Sequence, residues 1–138
     1  MQSSHSQFVL QIRVYLEDTD AQGVVYNASY FRFMERARTE LLRARGFDHA
    51  EFRDEHNANF VLARIEARFV APSQLSDILY VGAQVTEIRG ARMTFAQSVR
   101  KHEPTGALVC EGTAEVACMD INTQKPKRFP RQLISEWV

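Results

Sequence analysis

The sequence contains none of the short motifs that usually mark a catalytic or nucleotide-binding apparatus. It has no Gly-x-Ser-x-Gly elbow, no glycine-rich phosphate loop and no Cys-x-x-Cys pair, so the common serine-hydrolase, P-loop and dithiol signatures are absent. It has no excess charge of either sign. Seventeen basic and seventeen acidic side chains cancel, leaving no global field to draw the protein onto nucleic acid or an anionic membrane, and any anion binding is expected to be local. No apolar run approaches the roughly 20 residues that span a bilayer. Met1 to Gln7 lacks the basic start and apolar core of a signal peptide, so a cytoplasmic location is expected. The two cysteines, Cys110 and Cys118, fall eight positions apart in one predicted strand, about 26 Å, beyond disulfide reach. They read as reduced, small core residues.

What remains is ordinary globular material. With 138 residues, 45% hydrophobic and 25% charged, the chain has the size of one domain, and no repeat, linker or low-complexity segment divides it. Phe8, Leu10, Ile12, Val14 and Leu16 alternate with Val9, Gln11, Arg13 and Tyr15, predicting a half-buried strand over 8–16. From about 24 to 45 the period changes: Tyr30, Met34, Ala37, Leu41 and Ala44 share one helical face, and Gly46 is the expected C-cap. The charged stretch 48–57 is either a short helix or a loop.

Alternation resumes at Val61, Ala63, Ile65, Ala67 and Phe69. Further strands are expected over 78–88, from Met93 to Val99 and over 108–119, with turns at Arg89-Gly90 and Pro104-Thr105-Gly106. Pro130 suits the first residue of a terminal helix carrying Leu133, Ile134 and Trp137. The order β, long α, then four β joined by short turns predicts an α+β domain over residues 1–138: an antiparallel five-stranded sheet wrapped around one long central helix.

The candidate chemistry lies in the run Glu17-Asp18-Thr19-Asp20-Ala21-Gln22-Gly23-Val24-Val25-Tyr26-Asn27. It places two carboxylates on a turn that leads into the long helix, whose start leaves unpaired N–H groups and a partial positive charge. Asp18 and Asp20 also suit an ordinary turn or cap. Yet Gly23 permits close backbone approach, and Val24-Val25-Tyr26 is apolar where a loop is normally polar. Such a site can hold an apolar acyl group beside a carboxylate. His49 and His56, seven apart among Asp48, Glu51, Asp54 and Glu55, read as part of a solvated charged face rather than a metal site, and no metal ligand is assigned. Glu35 and Arg38 are spaced for a helical ion pair.

The span from Arg13 to Tyr26, followed by Ala28-Ser29-Tyr30 and Phe33-Met34-Glu35-Arg36-Ala37-Arg38, resembles the hotdog-fold acyl-CoA thioesterases. Within the broader 4-hydroxybenzoyl-CoA thioesterase family it is most similar to the tol-pal-associated group. The resemblance continues through Phe69-Val70-Ala71-Pro72, Thr86 to Gly90, and Lys125 to Pro130. It implies the hotdog fold and hydrolysis of an acyl-CoA, with no cofactor beyond the coenzyme A of the substrate. It implies a homodimer joined by sheet edges with active sites at the interface, often paired into a homotetramer. Carried over by position, the catalytic carboxylate falls on Asp20, as nucleophile or general base, and the N–H that holds the thioester oxygen falls at or near Asn27.

Gly23, Val25 and Tyr26 are the expected neighbours of the acyl group. Arg89, Arg92, Lys125, Lys127 and Arg128 are the basic residues nearest predicted turns, suited to the phosphates of coenzyme A. The chain departs from the group in carrying Asn27 where many relatives have histidine, and Leu16 where they have tyrosine. A non-catalytic module binding acyl-CoA or acyl-carrier protein is the alternative. No Asp/His arrangement supports hydratase or dehydratase chemistry on the same fold.

Overall fold

A computed structural model describes residues 7–130. In chain order the elements are β1 (Phe8–Arg13), a 3-10 turn (Leu16–Asp18), α1 (Asn27–Ala44), α2 (His49–His56), β2 (Ala58–Phe69), β3 (Ile78–Arg89), β4 (Arg92–Lys101) and β5 (Leu108–Asp120). The five strands form one sheet in the order β1-β3-β4-β5-β2, with every neighbouring pair antiparallel. The terminal helix expected from Pro130 lies outside the described residues.

α1 has 18 residues, about 27 Å of helix, and its inward face is packed against the sheet. Tyr30, Phe33, Met34, Ala37, Leu41 and Leu42 join Leu79, Val81, Met93, Phe95 and Val99 in one core. The expected stripe is recovered except at Ala44, which is exposed; Phe33 and Leu42 occupy the buried face instead. The helix starts at Asn27, three residues later than its periodicity predicts. Val24 and Val25 are held as strand bridges to Gln74 and Thr19, and the Val25 N–H donates to the Ser73 carbonyl at 2.8 Å.

The far end of α1 closes as expected. Gly46, at φ +84°, allows its own N–H to donate to the Arg43 carbonyl at 3.0 Å and that of Phe47 to the Leu42 carbonyl at 2.9 Å. This is a Schellman motif, with Phe47 and Leu42 both buried. The 48–57 stretch is a helix: the Asp48 side chain caps α2 by accepting from the Ala50 and Glu51 N–H groups, and Asn57 ends it in the left-handed region. It is less solvated than its charge suggests. Phe52 is buried, His56 lies 4.8 Å from its ring, and His49 meets Phe60 edge-on at 5.1 Å.

Two strand assignments need correction. β1 keeps the predicted alternation but ends at Arg13, because the chain turns into the 3-10 segment and leaves Leu16 exposed. β2 begins at Ala58, and Ala63 is an extra residue between the pairs Leu62↔Val116 and Arg64↔Glu115. That bulge reverses the phase of the strand. Phe60 packs on the core ahead of it, Ile65 and Ala67 behind it, while Val61 and Ala63 are exposed.

Both cysteines are free and buried, and burial raises the Cys110 thiol to about 11. Alkylation at neutral pH is therefore expected only after unfolding, read by mass spectrometry with and without urea. Gly46→Ala is expected to lower stability by about 1–2 kcal/mol, the strain of a side chain in the left-handed region, measured by urea denaturation.

Candidate active site

The loop between β1 and α1 is built on Asp18, although the sequence gives Asp18 and Asp20 much the same appearance. Asp18 is 4% exposed. Its carboxylate accepts from the Tyr15 N–H at 2.8 Å and from the Arg32 guanidinium at 3.0 Å. Its carbonyl accepts from the Tyr26 N–H at 3.0 Å and from Ser29 Oγ at 3.1 Å. One residue thus ties the 3-10 turn to both the entrance and the first turn of α1. Arg32 and Ser29, which sequence reasoning overlooked, complete this bracket, with Arg32 Nη2 donating to Ser29 Oγ at 3.1 Å.

Asp20 stands on the rim of the bracket and is exposed. Its N–H donates to the Val24 carbonyl at 2.9 Å, and its own carbonyl accepts from the Gly23 N–H at 3.0 Å. Its Oδ1 accepts from the Gln22 N–H at 2.8 Å. The other carboxylate oxygen has no hydrogen-bond donor among the described residues. Gly23 serves this turn by its conformation rather than by close approach: φ is +82°, and a Cβ there would meet nothing within 4 Å.

The start of α1 is open. Asn27 and Ala28 precede the first intrahelical bond, and the N-cap, Tyr26, places no side chain across their N–H groups. The partial positive charge of the helix is therefore directed at solvent on the side where the Asp20 turn is anchored. Asn27 and Tyr26 are exposed, whereas the Val25 side chain is buried in the core. Behind them, Tyr30 is sealed in the core and shares a 2.5 Å hydrogen bond with the buried Ser73. Burial raises the Tyr30 phenol above its ordinary value.

The basic residues also meet, but elsewhere. The Phe129 N–H donates to the Gly90 carbonyl at 3.3 Å and that of Lys127 to the Cys118 carbonyl at 2.8 Å, which lays the 125–130 segment beside the β3–β4 turn. Arg89 pairs with Glu87 at 3.0 Å and Arg92 with Glu115 at 3.1 Å. Lys127 Nζ donates to the His56 carbonyl at 2.5 Å and lies 3.9 Å from Asp120. Lys125 and Arg128 are exposed. This group sits at the end of β3 marked by Arg89, while the Asp20 loop is fastened at the other end, where the Val14 N–H donates to the Asp77 carbonyl at 2.9 Å. The twelve residues of β3 separate them by about 36 Å.

One further expectation is overturned by side-chain direction. Glu35 and Arg38 do not pair: Glu35 accepts from Thr39 Oγ1 at 2.9 Å, and Arg38 turns inward to donate to Gln97 Oε1 at 2.9 Å. His49 and His56 are not part of any group of three or more metal-ligating side chains among the described residues. No helix among those residues is long and apolar enough to cross a membrane.

A long helix cradled by a five-stranded antiparallel sheet, with an acidic loop at the helix start, defines a hotdog-fold protein of the thioesterase type. The family model of the Thioesterase-like superfamily matches residues 14–138. Two relatives are Acyl-CoA thioester hydrolase YbgC of Escherichia coli, 40% identical with 91% of this chain and 92% of that protein covered, and Acyl-CoA thioesterase YbgC of Haemophilus influenzae, 37% identical with 91% and 90% covered. A solved structure, that of a probable thioesterase from Bartonella henselae, superposes with a TM-score of 0.83 at 30% identity, covering 91% of this chain and all of that one. The chain belongs to the Thioesterase-like superfamily.

Asp18→Ala removes the acceptor for a backbone N–H and for Arg32 and is expected to cost about 1–3 kcal/mol of stability, measured by urea denaturation. Asp20→Ala, at an exposed turn, should stay within about 0.5 kcal/mol of wild type.

Proposed function

We propose that the chain, acting as one hotdog domain over residues 1–138, is an acyl-CoA thioesterase that hydrolyses its substrate to a free carboxylic acid and coenzyme A. The observation that carries this reading is the exposed Asp20 carboxylate, on a loop that Asp18 binds to the uncapped start of α1. The thioester carbonyl oxygen takes the N–H groups at Asn27, where the helix charge favours the negative charge that develops on it. The Asp20 carboxylate then either attacks the carbonyl carbon, expelling the thiolate and leaving a mixed anhydride that water hydrolyses to the free acid and Asp20, or takes a proton from a water that attacks the carbonyl carbon directly. The leaving group is a thiolate whose parent thiol resembles cysteine, with a pKa near roughly 8.5, so departure needs no strong general acid. Asn27 retains a side chain that can donate and accept hydrogen bonds. Tyr26 flanks the acyl group from the surface, and Val25 supports it from the core.

The reading includes a homodimer. Within one protomer the Asp20 loop and the basic group of Arg89, Arg92, Lys127 and Arg128 lie at opposite ends of the sheet, too far apart for one short ligand contact. Antiparallel pairing of two copies along β2 brings the basic end of one next to the Asp20 end of the other. β2 suits that role: it is an edge strand of twelve residues, twice the length of β1 at the other edge, with Val61 and Leu62 nearly half exposed. Two such dimers form the homotetramer. A cytoplasmic location agrees with an acyl-CoA substrate.

Thiol release from a panel of short, long and aromatic acyl-CoA esters tests the activity. Asp20→Ala is expected to lower kcat/KM by a factor of about 10²–10⁴ with the fold intact, and turnover equal to wild type overturns the assignment. Tight acyl-CoA binding by the wild type without thiol release points to the non-catalytic binder. Arg128→Ala is expected to raise KM more than Arg92→Ala, because Arg92 already has Glu115 as a partner.

A further inference from the structure

A second tether, besides Asp18, joins the Asp20 turn to the start of α1. The Asp20 N–H donates to the Val24 carbonyl at 2.9 Å, Val24 forms a strand bridge with Gln74, and the Val25 N–H donates to the Ser73 carbonyl at 2.8 Å. The segment that receives these contacts is itself fixed. Lys101 Nζ donates to the Pro72 carbonyl at 3.1 Å, and the Gln74 N–H donates to Asp77 Oδ2 at 2.9 Å. Ser73 is fully buried, and its hydroxyl meets that of the buried Tyr30 at 2.5 Å. Tyr30 lies three residues past Asn27, on the first turn of α1.

A buried hydroxyl pair adds little to stability. Replacing both partners by apolar groups of the same shape is close to neutral, whereas removing one leaves the other unsatisfied. Packing at this point needs only the Tyr30 ring, which lies edge-on to Phe33 at 6.0 Å between centroids and 5.9 Å from Phe69. Phenylalanine would keep both contacts. What the hydroxyls add is direction and distance, because a hydrogen bond fixes two oxygens where apolar surfaces can slide. Ser29 and Arg32, which hold Asp18, lie on a different side of α1 from Tyr30. With Asp18 alone, the Val24–Val25 segment and the Asp20 turn resting on it are free to swing about one side of the helix.

We propose that Tyr30 and Ser73 are positioning residues, whose hydrogen bond sets the place of the Asp20 carboxylate relative to the N–H groups at Asn27. Both are sealed in the core and act through the backbone. Tyr30 acts through the first turn of α1, and Ser73 acts through Val25 and, by way of Gln74, Val24. A carboxylate and N–H groups that must engage one carbonyl group tolerate little misplacement: about 1 Å can cost on the order of 10²-fold in rate. The effect on turnover rests on the thioesterase reading above; the tether rests on the hydrogen bonds.

The test compares Tyr30→Phe, Ser73→Ala and the double variant with wild type, each as the full chain. Each single variant strands a buried hydroxyl and is expected to lower the urea midpoint, and the double variant should regain most of that loss. Its kcat should not return with the stability: about tenfold below wild type is expected, with KM within about twofold. Amide exchange followed by NMR reads the tether without turnover. The Val25 N–H, held by Ser73, is expected to exchange at least about tenfold faster in the double variant, while the Tyr26 N–H, held by the Asp18 carbonyl, stays within about twofold of its wild-type rate. Absence of thiol release by the wild type from every acyl-CoA in the panel overturns the thioesterase reading, and the exchange rates then decide the tether. A kcat that recovers together with the urea midpoint, wild-type exchange at Val25, or equal loss of protection at Val25 and Tyr26 overturns the proposal. A double variant that does not fold makes the pair structural and overturns it as well.

Discussion

The contact between the inward stripe of α1 and the apolar face of the sheet sets where each end of the molecule lies, because a helix of 18 residues runs most of the length of strands of twelve. Tyr30, Phe33, Met34, Ala37 and Leu41 cannot be buried in any other rotation of the helix without exposing most of them. Once that rotation is set, the start of the helix is at one end of the sheet and Gly46 at the other. Ser29 and Arg32 face the loop that carries Asp20, and Arg38 is carried inward. The positions of every candidate functional group follow from this one packed surface.

Two buried polar groups then divide the labour. Asp18 satisfies backbone and side-chain donors from three parts of the loop and helix, so its carboxylate is committed to structure. Asp20, two residues on, spends one oxygen on its own turn and keeps the other available. Chemical likeness in the sequence is thereby converted into different environments. Arg38 is buried as well: its contact with Gln97 links α1 to β4, and the Glu35 carboxylate acts on its charge. Burial lowers the basicity of its guanidinium, yet arginine is basic enough to stay charged at physiological pH.

Periodicity exposed most of the fold, since the patterns of strand and helix differ and the two turns containing Gly46 and Gly90 lie where their glycines predict. It failed where one residue changes the phase or where long-range bonds compete with local preference. Ala63 has no chemical feature that announces a bulge; only its pairing against β5 reveals it. Val24 and Val25 have helical neighbours on one side, but Ser73 and Gln74, nearly fifty residues away, draw them into bridges. Likewise, Glu35 and Arg38 have ideal spacing for an ion pair, and Gln97 from a distant strand competes successfully for the arginine.

By itself the sequence determined the alternation of strands and helix, the acidic turn before α1, the balanced charge and the resemblance to hotdog thioesterases, because these depend on residues close together along the chain. Only the tertiary structure decided that Asp18 is buried and Asp20 exposed, that the basic residues assemble at the far end of the sheet, and that Arg38 turns inward to Gln97. Those outcomes depend on which distant backbone and side-chain groups satisfy each polar atom, and local spacing carries no record of that competition.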